Sequence, residues 1–328
     1  MRWRCATFVA AIVATSSALV SASAEACSAC ASVGEPAPVL LASNPSRPAP
    51  IVASWDLRWF ESVVFDRDHG REASAELRLV SNTRGWLNDW LGVEATHNAV
   101  ARWFTVGTAT ASVLVSGDVD LLARAQWRSA ARAHVVGIAA GARLGLAPAL
   151  VDEFGIARPV QLQVGSGALD FLGQLEYVGM FDGFRVSASA RARYATEGRY
   201  RWQPGPSLSA STGVRYVFAP WIAAGVSVDV RAALADTLDR APVEATGGVV
   251  LTATPSIAFR LAESLWIAAS ASVVLGQFWR GVASDGTSAT LSVQWSPTLP
   301  SRPTVIRPRF LQANRGSNTL ALARTAAL

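Results

Sequence analysis

The segment Phe184 to Tyr194, F-R-V-S-A-S-A-R-A-R-Y, constrains the fold more than any other stretch of the chain. Phe184, Val186, Ala188, Ala190, Ala192 and Tyr194 fall on one face of an extended strand, and Arg185, Ser187, Ser189, Arg191 and Arg193 fall on the other. Successive side chains of a strand point to opposite faces, so the segment has one apolar wall and one cationic wall. A soluble sandwich alternates in the same way, with its apolar face inside. Here the pattern recurs along most of the chain, in strands of about ten residues, behind a secretory signal. Together these features predict an all-β fold: a transmembrane antiparallel up-and-down β-barrel whose apolar face meets lipid and whose polar face lines a lumen.

The signal occupies residues 1–24. Arg2 and Arg4 make its positive start, Ala6 to Val20 its apolar core, and Ala22-Ser23-Ala24 a small-residue cleavage site. A second site, Ala24-Glu25-Ala26, would leave Cys27 at the mature N-terminus and suggests a lipid anchor, although Glu25 and the missing upstream Leu count against it. No later segment offers the roughly 18 uninterrupted apolar residues of a membrane helix. A membrane-embedded chain of this kind must therefore be a barrel, since only helices and closed barrels satisfy every backbone group in lipid.

Composition agrees with that reading. Hydrophobic residues make up 51% and charged residues 16%, and 12 Trp with 12 Phe supply interfacial aromatic girdles. All 29 basic residues are Arg. The net charge of +5 includes Arg2 and Arg4 of the signal and Arg302, Arg307, Arg309, Arg315 and Arg324 of an acid-free tail, so the barrel itself is near neutral. No basic stripe of the nucleic-acid-binding kind is present.

Residues 25–50 read as a Pro-rich periplasmic linker, 51–296 as the barrel and 297–328 as a basic C-terminal tail that is disordered, plugs the lumen or contacts peptidoglycan. About twelve strands are expected, near 51–64, 72–81, 91–104, 117–130, 133–146, 168–180, 183–195, 207–218, 221–234, 247–261, 265–277 and 287–296. From the sixth strand on, tight joins at 181–183, 219–220 and 262–264 alternate with long ones at 196–206, 235–246 and 277–286. Short periplasmic turns alternating with longer external loops are the habit of outer-membrane barrels. Trp86 to Trp90 reads as a short helix or an interfacial turn.

Several segments also carry a likeness. Gly117-Asp118-Val119-Asp120-Leu121-Leu122-Ala123-Arg124 reads as a G-D-x-x-L-x-A-R strand opening, Gln163 to Asp170 as a Q-x-G-T-G-x-x-D segment, and Thr246-Gly247-Gly248 through Pro255 as a T-G-G...P strand. Cys27-Ser28-Ala29-Cys30 with Gly34-Glu35-Pro36 is similar to a C-x-x-C-G-x-G-D-P leader. In these motifs the chain resembles a family of bacterial outer-membrane transport proteins, some labelled after the meta-cleavage pathway of phenol degradation. The resemblance implies a solute-conducting barrel and raises aromatic compounds as cargo. One departure is that Trp295 is followed by a long tail, where such barrels end on an aromatic residue.

Gly165-x-Gly167-x-x-Asp170 lacks the third glycine of a dinucleotide fingerprint and opens a strand, not a helix. It reads as a tight turn that places Asp170 at the barrel mouth. Cys27 and Cys30 are expected to form a local disulfide, and no nearby His completes a metal site. His69, His97 and His134 are scattered, with no Ser–His grouping evident in the sequence, so an outer-membrane enzyme is disfavoured and no cofactor is implied.

Parity leaves the lumen as the candidate site. It sends Arg58, Arg78, Arg124, Arg185, Arg191, Arg193, Arg215, Arg231 and Arg260 inward, with Asp56, Glu76, Asp120, Glu176 and Asp229 as partners. One reading is an Arg–carboxylate ladder that satisfies buried charge in a non-conducting, structural barrel. The other is a cationic constriction that passes small anionic solutes, with Arg191 and Arg193 setting the field. The expected partners are outer-membrane lipid and a small solute.

Overall fold

The computed structural model describes residues 51–66, 70–106, 109–129, 133–148, 165–181, 183–243, 246–279 and 283–296. The expected signal, linker, CxxC pair Cys27–Cys30 and tail lie outside them. Four tall strands come first: β1 (Ile51–Asp66), β2 (Gly70–Trp86), β3 (Leu91–Val106) and β4 (Ala109–Arg128). At 16 to 20 residues they exceed the roughly 9–11 residues a tilted strand needs to cross a bilayer. β5 (His134–Leu144), β6 (Leu169–Phe181) and β7 (Phe184–Ala195) follow. The chain then alternates between wall and loop: β8 (Trp202–Gln203), β9 (Ser207–Ala219), β10 (Ile222–Ala233), β11 (Thr237–Leu238) and β12 (Ala241–Pro242). β13 (Gly248–Ala262), β14 (Leu265–Trp279) and β15 (Ala283–Trp295) complete it.

Twelve of these strands form one closed antiparallel barrel, with β1 sealing against β15 from Ala53↔Trp295 to Val64↔Ala283. Closure leaves no strand edge unpaired, which is what a barrel in lipid requires. The other three, β8, β11 and β12, make a small sheet from the two loops between β7 and β9 and between β10 and β13.

The barrel is inverted relative to a soluble sandwich. Large apolar side chains such as Trp55, Leu57, Trp59, Ile138, Leu175, Val226, Val228 and Leu291 stand exposed on the outer wall. Arg102 (1% exposed), Arg78 (2%) and Asp120 (3%) are enclosed within it. Period-2 alternation with polar residues inside gives this result along most of the described wall.

The twelve expected strands are all present, with three corrections. The second strand runs on from 81 to Trp86, and the connection to the third strand is a bend in which Asn88 Oδ1 accepts the N–H groups of Trp90 (2.9 Å) and Leu91 (2.7 Å), the turn of the two expected alternatives and not the helix. The last connection, expected to be long over 277–286, is only residues 280–282, because β14 and β15 continue the sheet on both sides.

The third correction concerns β4, which begins at Ala109, so Gly117-Asp118 lies in mid-strand. There the register shifts from His97↔Val119 to Ala99↔Ser116, and two residues of β4 oppose Asn98 alone. This is a β-bulge. A Cβ at Gly117 would fall on the Asn98 side-chain amide, so any larger residue there would have to displace it. Below the bulge Asp118 and Asp120 face inward; above it the parity reverses, and Val113 and Val115, opposite the inward Arg102 and Val100, turn into the barrel.

Candidate functional site

The lumen has two unlike halves. From β2 to β7 its wall carries a connected ladder of ions. Glu76 receives Arg78 (Nε, 2.8 Å) from its own strand and Arg102 (Nε, 2.9 Å) from β3. Glu94 accepts from Asn82 Nδ2 (2.7 Å), Arg84 Nε (3.1 Å) and Arg124. Arg124 reaches on to Glu176, which Gln174 Nε2 also meets at 2.6 Å. Asp120 is gripped by Arg143 (Nε to Oδ1, 2.6 Å) and Arg191 (Nη2 to Oδ2, 2.5 Å), and Asp170 lies 2.8 Å from Arg193 Nε. The intervening strand β5 presents only small residues there, Ala139 beside Arg124 and Gly137 beside Glu176, so the two long side chains meet across it. Buried ions are costly unless paired, and here each carboxylate of the ladder has at least one guanidinium.

From β9 to β15 the wall is lined instead by short hydroxyls, among them Ser211, Ser227, Thr254, Ser270, Thr290 and Ser292. Short side chains leave space, and a cavity opens beside them. Ser54, Asp56 and Arg58 of β1 border it on one side, and Arg185, Ser187, Ser189 and Glu176 on the other. Arg185 of β7 and Arg215 of β9 are directly opposed in the sheet, and both line this cavity toward the short-turn end. Arg215 Nη2 lies 3.5 Å from Ser256 Oγ. Two guanidinium groups thus occupy adjacent positions of this wall.

The sequence-derived residues therefore divide. Arg124, Asp120, Glu176, Arg191, Arg193 and Asp170 are brought together in the ladder; Asp170 sits where β6 begins, after Gly167 turns with φ of 65°. Arg191 and Arg193 each face an aspartate. Arg58 pairs with Asp56 at 2.9 Å. Asp229 accepts from Ser227 (3.1 Å) and Thr254 (3.3 Å). Arg231 is buried in the wall, and Arg260 donates to the Glu263 carbonyl at 3.0 Å, at the rim and away from the ladder. Arg84, Glu94, Arg102 and Arg143 are ladder residues outside the sequence reading; for Glu94 and Arg102 the even spacing with Thr96 and Val100 on β3 carries the signal.

One grouping is formed only by the fold. On the outer wall His97 Nε2 lies 2.9 Å from Ser116 Oγ, because the bulge turns Ser116 outward. Among the described residues His97 Nδ1 meets no carboxylate or amide, so the third group that orients a catalytic imidazole is missing.

At the long-loop end the small sheet is organised by Asp236. Its carboxylate accepts Gly205 N–H (2.8 Å) and Trp202 Nε1–H (3.2 Å), and its own N–H donates to Thr246 Oγ1 (2.9 Å). Burial pushes this carboxyl above its ordinary range, although the two donors and Arg193 act in the opposite direction.

No family model matches this chain, and neither does any curated protein sequence. The phenol-degradation label thus gains no support. Among solved structures, the barrel is similar to an outer-membrane channel from Pseudomonas putida F1, with a TM-score of 0.64 at 12% identity, covering 80% of this chain and 99% of that one. The likeness shows the fold, a closed twelve-strand barrel of the kind found in outer-membrane proteins. The KdgM porin solved with disordered oligogalacturonate (TM-score 0.41, 11% identity, 75% and 99% covered) and the NanC porin (0.40, 9%, 75% and 100%) are looser likenesses of barrel architecture.

Proposed function

We propose that this protein sits in the outer membrane and passes small hydrophilic solutes down their gradient, with a preference for anions. The observation that carries the reading is the hydroxyl-lined cavity with Arg185 and Arg215 opposed on its wall. Hydroxyls of short side chains exchange hydrogen bonds with a passing solute without holding it, and the guanidinium pair lowers the barrier for negative charge. Among the described lining residues only Tyr177 is aromatic, and its ring stacks on His134, which favours hydrophilic cargo over aromatic compounds. Arg185 and Arg215 line the cavity, whereas Arg191 and Arg193 lie in the ladder against Asp120 and Asp170, so the selective element is assigned to Arg185 and Arg215.

The test is single-channel recording of the refolded protein in planar bilayers under a salt gradient. Discrete openings with an anion-selective reversal potential are expected, and Arg185→Ser with Arg215→Ser should move that potential toward zero more than Arg191→Ala with Arg193→Ala. A folded, heat-modifiable barrel that never conducts would transfer the assignment to a structural barrel closed by its ladder.

A further inference from the structure

The connection from β5 to β6 folds back into the barrel at both of its shoulders, residues 145–148 and 165–168. Ala147 is fully buried and packs on Val100, Val113 and Val115, the apolar patch that the β4 bulge turns inward. Its N–H donates to Asp118 Oδ1 at 3.1 Å, beside the bulge itself. The two shoulders touch, since a Cβ on Gly145 would come within 2.5 Å of the Ala168 carbonyl and one on Gly165 within 2.7 Å of Ala147.

A single residue of the next loop reaches both shoulders. Arg199 Nη1 donates to the Ala147 carbonyl at 2.6 Å, and the Arg199 backbone N–H donates to the Ser166 carbonyl at 2.9 Å. Its aliphatic stem lies over Gly167, where a Cβ would stand 2.7 Å from Arg199 Cγ and where φ is 65°. The loop that carries Arg199 is itself fixed to the start of β6, by Thr196 N–H to the Leu169 carbonyl (2.9 Å) and Leu169 N–H to Thr196 Oγ1 (3.2 Å). Charge-assisted bonds of this kind are about twice as strong as neutral ones, and this one joins elements 52 residues apart.

We propose that Arg199 is a positioning residue: a clasp that holds both shoulders of the β5–β6 connection against the inner wall of the β3–β4 hairpin. On the channel reading above, the clasp keeps those shoulders on the ladder side, clear of the hydroxyl-lined passage. The chain of contacts runs from Arg199 to Ala147 to Asp118, so the bulge and the clasp act on the same backbone.

The experiment uses the refolded full chain in lipid vesicles and follows proteinase K cleavage within 145–168 by mass spectrometry, alongside open-channel current noise. Arg199→Ala should speed that cleavage by about tenfold, the expected cost of one lost charge-assisted bond, and Arg199→Lys by less. Gly167→Ala, which pushes on the stem, should act in the same direction. Heat-modifiable mobility should stay that of the wild type, and open-channel noise should rise while the reversal potential stays put. A conducting barrel whose Arg199→Ala variant is cleaved like the wild type overturns the clasp and leaves the channel reading standing. Faster cleavage in a barrel that never conducts supports the clasp and removes the channel reading.

Discussion

The two halves of the lumen meet the same requirement, a polar interior in a barrel surrounded by lipid, by opposite means. On the β2–β7 side long charged side chains cross from strand to strand and fill the interior with paired ions. On the β9–β15 side serines and threonines satisfy the wall at short reach and leave a cavity beside it. The first arrangement ties together strands distant in sequence, as Arg191 to Asp120 does across 71 residues. The second leaves room for a solute. On the channel reading proposed above, stability and passage fall to different arcs of one barrel, and substitutions on the two arcs should fail in different ways.

The largest effect is expected in the ladder. Glu94→Ala strips a carboxylate from Arg84 and Arg124, both buried, and should cost about 3–5 kcal/mol, read as a lower urea midpoint of the heat-modifiable band. Ser256→Asp, placing a carboxylate beside Arg215, should lower the anion-over-cation permeability ratio by about threefold while stability changes by about 1 kcal/mol or less. If it unfolds the barrel instead, the division between the arcs is wrong. Ser270→Ala with Ser272→Ala should leave folding within about 0.5 kcal/mol of wild type and shift conductance by less than about twofold. The smallest effect concerns pH. Burial raises the folded pKa of Asp236 above its unfolded value, so the small sheet gains stability as pH falls and loses it as pH rises through that folded value. Amide exchange at Trp202 and Gly205, corrected for intrinsic rate, should therefore be slower at mildly acidic pH than at neutral; faster exchange would show that the two hydrogen bonds to the ionised carboxylate outweigh burial.

Strand number and facing were legible because period-2 alternation is a local property. Phe184 to Tyr194 shows both walls without any partner, and its inward Arg185, Arg191 and Arg193 follow from parity alone. Where outward residues are themselves polar the signal fades, which is why β2 was cut at 81, before the outward Thr83 and the inward Asn82 and Arg84. Which carboxylate an arginine meets was not legible, since pairing depends on register and on small residues such as Gly137 in the intervening strand. The bulge at Gly117 was hidden for a related reason: residues 109–116 alternate as cleanly as 118–128, but in the opposite phase.

That phase change behaves like a reading frame. Just upstream of Gly117 the interior residues are the odd-numbered Val113 and Val115, and downstream they are even-numbered, from Asp118 and Asp120 to Arg124. Deleting Gly117 alone would restore one frame through the strand, moving Val113 and Val115 to the lipid side and Ser112, Leu114 and Ser116 to the interior. A length change of one residue in this strand is thus equivalent to rewriting five side-chain environments at once, whereas a change of two would leave every face as it was.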